Sequence, residues 1–190
     1  MCDDEPPRTG WAEIVALGER LGGRMSLVPE DGERRVRMFG LSHEILGEGG
    51  LCWNVRLLLT HAGLTTDGRS GWPKPVAEYL APRYGYAPER TPAARARAVE
   101  ILRLLDGVLA ESRSRGYAYL LGPTPTALDV HAAVALGTIW PLPEADCPMP
   151  APVRRAFETL DEEVRAAVSP ALLEHRALMF SRHLVLPVRC

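Results

Sequence analysis

The sequence predicts an all-α protein, and three observations support that prediction. Apolar residues recur at helical spacing through most of the chain, as at Val99, Leu102 and Leu105. Helix-start signals precede several of these apolar runs, the strongest being Thr126 with Asp129 three residues later. No strand-rich block interrupts the helical pattern. The 190 residues, of which 46% are hydrophobic, are enough to build the core of one domain.

The segment after Thr126 predicts a buried helix that begins at Ala127. Thr126 is expected at the N-cap position, where it accepts a hydrogen bond from the Asp129 amide. The Asp129 carboxylate is expected to bond back to the Thr126 amide, which closes a capping box. The following residues are apolar on nearly every side, so this helix is expected in the core, with His131 bonded inside it.

The first half of the chain divides into a short arm and a run of helices. Residues 1–10 are acidic and contain proline, which predicts a flexible arm, and residues 11–190 are expected to form a single all-α domain. A first helix is expected from Trp11 to the glycines at 22 and 23. Asp31 is expected to start the next helix, which the glycines at 47, 49 and 50 bend or break. Helical spacing then resumes and is expected to close at Gly63.

The second half begins with an irregular segment and then returns to helices. Residues 64–92 are rich in glycine and proline and leave room for one short helix. The pair Thr91-Pro92 predicts the start of a long helix that continues to about Ser114. After the Ala127 helix, a helix is expected near residues 151–167. A last helix, capped by Ser169, is expected to run to about residue 183.

Charge and cysteine usage narrow the classes of function. The net charge of −2 gives no electrostatic reason to expect nucleic acid or an anionic membrane as a partner. No signal peptide and no apolar run of membrane-spanning length is visible, so the cytoplasm is the expected location. The four cysteines, at 2, 52, 147 and 190, include no CxxC pair, so neither a zinc site nor a disulfide framework is predicted.

The strongest candidate for acid/base chemistry is the stretch from His43 to Glu48. Glu44 and Glu48 are four residues apart, so a continuous helix would place both carboxylates on one face, beside His43. The nearby glycines would let a ligand or another backbone approach. The simpler alternative is a solvated acidic face on a helix that merely bends. Because adjacent helical residues point about 100° apart, no metal site is predicted here.

Candidate ligand-binding residues follow in the same stretch. Trp53 and Arg56 are expected to contact a ligand, and Arg56 would neutralise Glu48 if the chain bends at the glycines. Cys52 is the best-placed thiol, but no neighbour is expected to lower its pKa, and a small buried hydrophobic role is the alternative. For Trp53, the alternative to contacting a ligand is a position in the hydrophobic core. On the last helix, the cluster around His175 and Arg182 is expected to share one face.

Several of these segments resemble the glutathione transferase family. Residues 119–130, which read YLLGPTPTALDV, are similar to the capping-box helix of the all-α C-terminal domain of that family. Residues 7–14 resemble the last helix of its thioredoxin-like N-terminal domain, and residues 39–50 look like the long first helix of the C-terminal domain. Residues 147–150 and 182–187 look like a later loop and the tail of a family subgroup. The resemblance spans about residues 7–187 and implies a helical bundle like that C-terminal domain.

The resemblance also implies roles for individual residues. In the family, the helix that corresponds to residues 43–56 lines the cleft for the electrophilic substrate, so some of its side chains would face a pocket. Asp129 would serve folding through the capping box. The family's thioredoxin-like domain supplies the glutathione site, and no block of this chain matches it; Thr9 and Gly10 stand where the family has an acidic residue and serine.

Two classes of function therefore remain open. The first is a transferase-like protein that acts on a small hydrophobic molecule without the standard glutathione site, by isomerisation, cyclisation or addition. Glutathione stays a candidate cofactor, although its usual site is absent from these residues. The second is a non-catalytic helical module that binds a small molecule or another protein. In either case a homodimer or a partner protein is expected to cover apolar surface. The chain being a piece of a longer protein is a further alternative.

Overall fold

The computed structural model describes residues 6–22 and 25–188, and these residues form an all-α bundle, as predicted. Residues 1–5 of the expected arm, the glycine at 23 and the cysteines at 2 and 190 lie outside the described residues, and residues 6–10 have no regular secondary structure. The α-helices are α1 (Trp11–Leu21), α2 (Gly32–Leu46), α3 (Leu51–Thr65), α4 (Lys74–Leu80), α5 (Thr91–Ser114), α6 (Ala127–Leu136), α7 (Ala151–Glu158), α8 (Glu162–Ala166) and α9 (Pro170–Arg182). Two single-turn 3-10 helices, Ala81–Arg83 and Pro88–Arg90, join α4 to α5.

The core forms around α5 and α6. Helix α5 is 24 residues long and packs against α3, α8 and α9, with its apolar positions at helical spacing turned inward. Helix α6 is short, apolar on most sides and packed between α2 and α9. Both helices contribute fully buried leucines to the core, namely Leu102 and Leu105 from α5 and Leu128 and Leu136 from α6. The bundle therefore buries the helix that the sequence marked as central.

Helix α3 is longer than the sequence indicated, because Gly63 does not end it. The helix continues to Thr65, and a side chain at Gly63 would collide with the backbone carbonyl of Trp72. The Trp72 amide in turn donates to the Leu59 carbonyl at 3.1 Å, which fixes the following loop against the helix. Gly63 thus serves a close approach between two segments rather than helix termination.

The segment expected to be one helix near residues 151–167 is two helices. Asp161 accepts hydrogen bonds from the amides of Glu163 (3.1 Å) and Val164 (3.3 Å) and so caps α8 after α7 has ended. The cap predicted for the last helix is confirmed, since the Ser169 hydroxyl accepts from the Leu172 amide at 3.2 Å. Asp161 therefore starts a new helix inside the segment that was expected to be one helix.

Candidate functional site

The junction of α2 and α3 is broken by its glycines. Helix α2 ends at Leu46, and the Gly47 amide donates to the His43 carbonyl at 2.7 Å to close the last turn. Glu44 lies in that last turn, whereas Glu48 lies beyond it in the connection to α3. The expected break is confirmed, and the single continuous face for both carboxylates does not form.

The two carboxylates lie in different surroundings. Glu44 is half-buried and forms an ion pair with Arg97 of α5, which also binds Glu100 at 2.7 Å. Glu48 is exposed, and its side chain forms no ion pair or hydrogen bond with any described residue. Glu44 is therefore engaged with a cation, and Glu48 matches the solvated alternative.

His43 is exposed and lies beside Trp11 of α1. Its ring centre is 6.4 Å from that of Trp11, and its imidazole occupies the space that a side chain at Gly47 would fill. Trp11 of α1 also meets Phe39 at 6.1 Å and His131 at 5.8 Å. Trp11 therefore packs against rings from both α2 and α6.

His131 bonds inside the bundle, as the sequence indicated. Its Nδ1 atom lies 3.0 Å from the hydroxyl oxygen of Ser42, which is fully buried. Burial lowers the pKa of His131, so the imidazole is neutral at about pH 7. Because the Ser42 hydroxyl is fully buried, it is not accessible as a nucleophile, and the Ser42–His131 pair joins α2 to α6 in the packed bundle.

Trp53 and Arg56 come together on a third residue, Tyr84. The ring centres of Trp53 and Tyr84 are 4.6 Å apart in an edge-on arrangement. Arg56 donates from Nη1 to the Tyr84 hydroxyl at 2.6 Å, and its guanidinium lies 4.9 Å from the ring centre. All three side chains remain partly exposed. Arg56 is therefore committed to Tyr84, and the expected neutralisation of Glu48 by Arg56 is not present.

Cys52 has the surroundings of a buried hydrophobic residue. Burial raises the pKa of the Cys52 thiol to about 11, and the opposing effect of the Arg56 charge is smaller. The thiol packs against the main hydrophobic core. Because the thiolate is the reactive form, this cysteine is a poor nucleophile at about pH 7.

Asp129 forms the predicted capping box and, in addition, a wider buried network. One carboxylate oxygen accepts from the amide (2.7 Å) and the hydroxyl (2.9 Å) of Thr126. The other accepts from the Leu120 amide and from His175 Nε2, both at 2.8 Å. Asp129 and His175 are both fully buried, and His175 Nδ1 has no hydrogen-bond partner among the described residues. His175 and Arg182 both lie on α9, seven residues apart as expected for one face, but Arg182 is exposed at the end of the helix whereas His175 is fully buried.

A cavity of about 330 Å³ lies away from all six residues predicted for catalysis or ligand binding. Its walls are the first turns of α2, the last turns of α5 and the loop at residues 117–123. Arg34, Arg37, Glu111 and Arg115 supply most of its charge, and Tyr117 lines it from the loop.

Sequence reasoning missed Tyr84, Arg97 and Arg34. Tyr84 lies in the irregular segment between α4 and α5, where no periodic pattern indicates which side chain turns inward. Arg97 and Arg34 lie on helices that were predicted, but Glu44, which pairs with Arg97, and Leu121, which bonds to Arg34, come from other elements. Asp31, which lines the cavity, was predicted only as the start of a helix, and that signal does not indicate a cavity.

The described residues contain neither a cluster of metal ligands nor a membrane-spanning helix. No group of three or more histidine, cysteine, aspartate or glutamate side chains is placed to hold a metal ion in residues 6–22 and 25–188. Within the same ranges, no helix has both the length and the apolar character needed to cross a bilayer.

Comparison of the chain with protein-family models, with curated proteins and with solved structures finds no match. The assignment of functional residues therefore depends on the geometry of this molecule. Within that geometry, the Trp53, Arg56 and Tyr84 cluster unites two of the predicted site residues, whereas the three residues predicted for catalysis lie apart from it.

Proposed function

We propose that the chain is a glutathione-transferase-like helical domain that binds a small hydrophobic molecule without reacting with it. The observation that carries this proposal is the partly exposed cluster of Trp53, Tyr84 and Arg56 on the outer side of α3. Two aromatic rings set edge to face offer apolar contact area, and the guanidinium beside them favours a ligand with a polar or anionic end.

The surroundings of the reactive groups favour binding over catalysis. A general base must be free to accept a proton, and Glu44 is paired with Arg97. A cysteine nucleophile must ionise, and the pKa of the Cys52 thiol is raised to about 11. Neither group meets its requirement, whereas Trp53 and Arg56 need no ionisation change to hold a ligand.

The test uses anilinonaphthalene sulfonate, a flat aromatic probe with one negative charge, and measures its binding by calorimetry. We expect saturable binding that Trp53→Ala weakens by about tenfold or more, since the substitution removes an aromatic contact surface. Trp140→Ala is the matched control, because Trp140 also lies against an arginine, Arg165, at 3.9 Å, on a different part of the surface. Equal binding by wild type and Trp53→Ala, or equal loss in both variants, contradicts the proposal.

A second experiment separates binding from catalysis. Glutathione is titrated into the purified chain by calorimetry, and the oligomeric state is measured by sedimentation in the same buffer. Conjugation of glutathione to an electrophile is then assayed with the same preparation. The proposal expects no conjugation, whether the chain is a monomer or a dimer. Glutathione-dependent conjugation of an electrophile would replace the binding role with a transferase activity.

An enzymatic role is the second candidate, and the position of His43 favours it. Its imidazole is exposed, lies over Gly47 beside Trp11, and has no hydrogen-bond partner among the described residues. An unengaged imidazole next to an apolar ring is suited to remove a proton from a small hydrophobic molecule in an isomerisation, cyclisation or addition.

This second candidate is tested by following deuterium uptake from solvent into small hydrophobic ketones by NMR. His43→Gln is expected to abolish uptake while the melting temperature stays unchanged, because the side chain is exposed. Uptake that is equally fast in His43→Gln, or absent from wild type, removes His43 as a base.

A further inference from the structure

The loop at residues 117–123 forms a rigid wall of the 330 Å³ cavity. Three consecutive residues of this loop are tied to three different helices. The Tyr119 carbonyl accepts from the Ser112 hydroxyl of α5 at 2.5 Å, and the Leu120 amide donates to Asp129 of α6 at 2.8 Å. The Leu121 carbonyl accepts from Arg34 Nε of α2 at 2.9 Å. A wall anchored in this way is organised before any ligand arrives, which lowers the entropic cost of binding.

Arg34 is held in the cavity with its terminal nitrogens available. The guanidinium lies against Gly122, whose φ of 133° is one that residues with a side chain rarely adopt. A Cβ atom at this glycine would lie 3.2 Å from Arg34 Nη2, so the glycine provides the space for the guanidinium. Nε is used by the Leu121 carbonyl, and neither Nη atom has a hydrogen-bond partner among the described residues. The two Nη groups form the end-on fork that matches a carboxylate.

The other charges of the cavity leave this fork without a competing anion. Arg37 and Arg115 both bind Glu111, at 3.2 and 2.7 Å, so two cations share one carboxylate. Asp31 is exposed and caps α2, where it accepts an amide hydrogen bond at 2.8 Å. Glu33 is exposed in the first turn of α2. Arg34 and Arg37 are half-buried, whereas Asp31, Glu33 and Arg115 are exposed. The more enclosed cations favour a carboxylate, and the exposed Asp31 and Glu33 would accommodate a ligand's positive group.

We propose that this cavity binds a small molecule in which a carboxylate is attached to an apolar group. The carboxylate bonds to the Nη atoms of Arg34, and the apolar group packs against Val108, Leu121 and Tyr117, which line the same cavity. A volume of about 330 Å³ is at the lower end of the range for small-molecule sites. This site shares no residue with the Trp53 cluster, so the two proposals stand or fall separately.

The first test titrates the isotopically labelled full chain with 3-phenylpropionate and follows its amide resonances. We expect saturable shifts in residues 31–37 and 117–122, and binding at least about tenfold weaker for the uncharged 3-phenylpropanamide, which lacks the charge that Arg34 recognises. L-Phenylalanine adds an ammonium group to the same skeleton. Binding tighter than that of 3-phenylpropionate indicates an amino acid as the ligand type, and weaker binding indicates a simple carboxylic acid; both support a carboxylate site.

The second test uses Arg34→Gln, which is expected to weaken 3-phenylpropionate binding by about tenfold or more. Arg103→Gln is the control, because Arg103 is exposed on α5 outside the cavity and its loss changes the net charge equally. Arg34→Lys retains the charge without the fork and is expected to bind with intermediate affinity.

The melting temperature of each variant checks that the loop remains folded, because Arg34 also bonds to Leu121. If Arg34→Gln does not fold, the wild-type titration decides the question. Shifts confined to residues outside the cavity, absence of saturable binding, or equal binding of acid and amide would overturn the proposal.

Discussion

Asp129 and Glu48 are both carboxylates that the sequence singled out, and they have opposite surroundings in the bundle. Asp129 is fully buried and accepts four hydrogen bonds from three residues, whereas Glu48 is exposed and forms none with the described residues. Spacing predicted Asp129 correctly because its first partner, Thr126, belongs to the same helical turn. The surroundings of Glu48 depend on how α2 ends and on what packs nearby, which spacing does not determine.

The difference also predicts where polar groups matter for stability. A buried carboxylate loses its hydration and is tolerated only when donors replace the water, as they do around Asp129. An exposed carboxylate retains its hydration in both the folded and unfolded states. The Asp129 network should therefore control the free energy of unfolding, and the α2–α3 junction should affect it little.

Asp129→Ala is expected to cause the largest loss of stability among these variants. The substitution leaves the amides of Leu120 and Thr126 and the His175 ring without their acceptor, and we expect the free energy of unfolding to fall by about 3 kcal/mol or more. Urea denaturation measures the change. Glu48→Ala is the control from the other region and should stay within about 0.5 kcal/mol of wild type. Comparable losses in the two variants would contradict the contrast drawn between the regions.

A double-mutant cycle on Asp129 and His175 sharpens the same comparison. Since the two side chains share a buried hydrogen bond of 2.8 Å, we expect a coupling free energy of about 1–3 kcal/mol between Asp129→Ala and His175→Ala. The cavity left by the lost imidazole is present in both the single and the double variant and so cancels. The cycle between Asp129→Ala and Glu48→Ala should be additive within about 0.5 kcal/mol. Additivity in both cycles would show that the buried pair is not coupled.

Glu44→Gln tests the ion pair that Glu44 of the junction forms with Arg97. Glu44 and its partner Arg97 are both partly exposed, so solvent screens their attraction and we expect a loss below about 1 kcal/mol. The loss should shrink further in high salt, because mobile ions screen the pair. Thermal unfolding at two salt concentrations measures it, with Glu48→Gln as the unpaired control. A salt-independent loss would indicate that Glu44 acts through packing instead of charge.

The smallest expected effect is a pH dependence from His131. Burial lowers the pKa of His131, so the unfolded state takes up a proton at a higher pH than the folded state does. Wild type should therefore lose free energy of unfolding as the pH falls from about 7.5 to about 5.5, through the unfolded pKa of about 6.5. His131→Gln should lose less over the same interval. Equal losses in the two proteins would exclude His131 as a source of the dependence.

The fold was largely readable from the sequence because its signals are local. The N-caps at Asp31, Thr126 and Ser169 and the helix break at the glycines near residue 47 all depend on residues within a few positions of one another. Gly63 shows where this reasoning fails. A glycine at the end of an apolar pattern looks like a stop, but the reason for this one is the carbonyl of Trp72, which a loop brings against the helix.

The candidate sites were less readable because their contacts join distant parts of the chain. Trp53 and Arg56 were expected to contact a ligand, which stays a prediction, and Tyr84, which contacts both, comes from a segment without periodicity. The cavity beside Arg34 depends on a contact with Leu121, 87 residues away. No spacing rule relates residues separated in this way, so the packing of helices had to be known first.

The Leu120 amide connects the buried Asp129 network with the 330 Å³ cavity, and its hydrogen exchange reports on both. It lies outside every helix, yet its proton is bonded to a fully buried carboxylate, so its exchange with solvent requires the opening of the core around Asp129. The amide proton of this loop residue should therefore exchange as slowly as amide protons in the core of the bundle. Because Leu120 also lines the 330 Å³ cavity, one wall of that cavity should persist as long as the folded state itself.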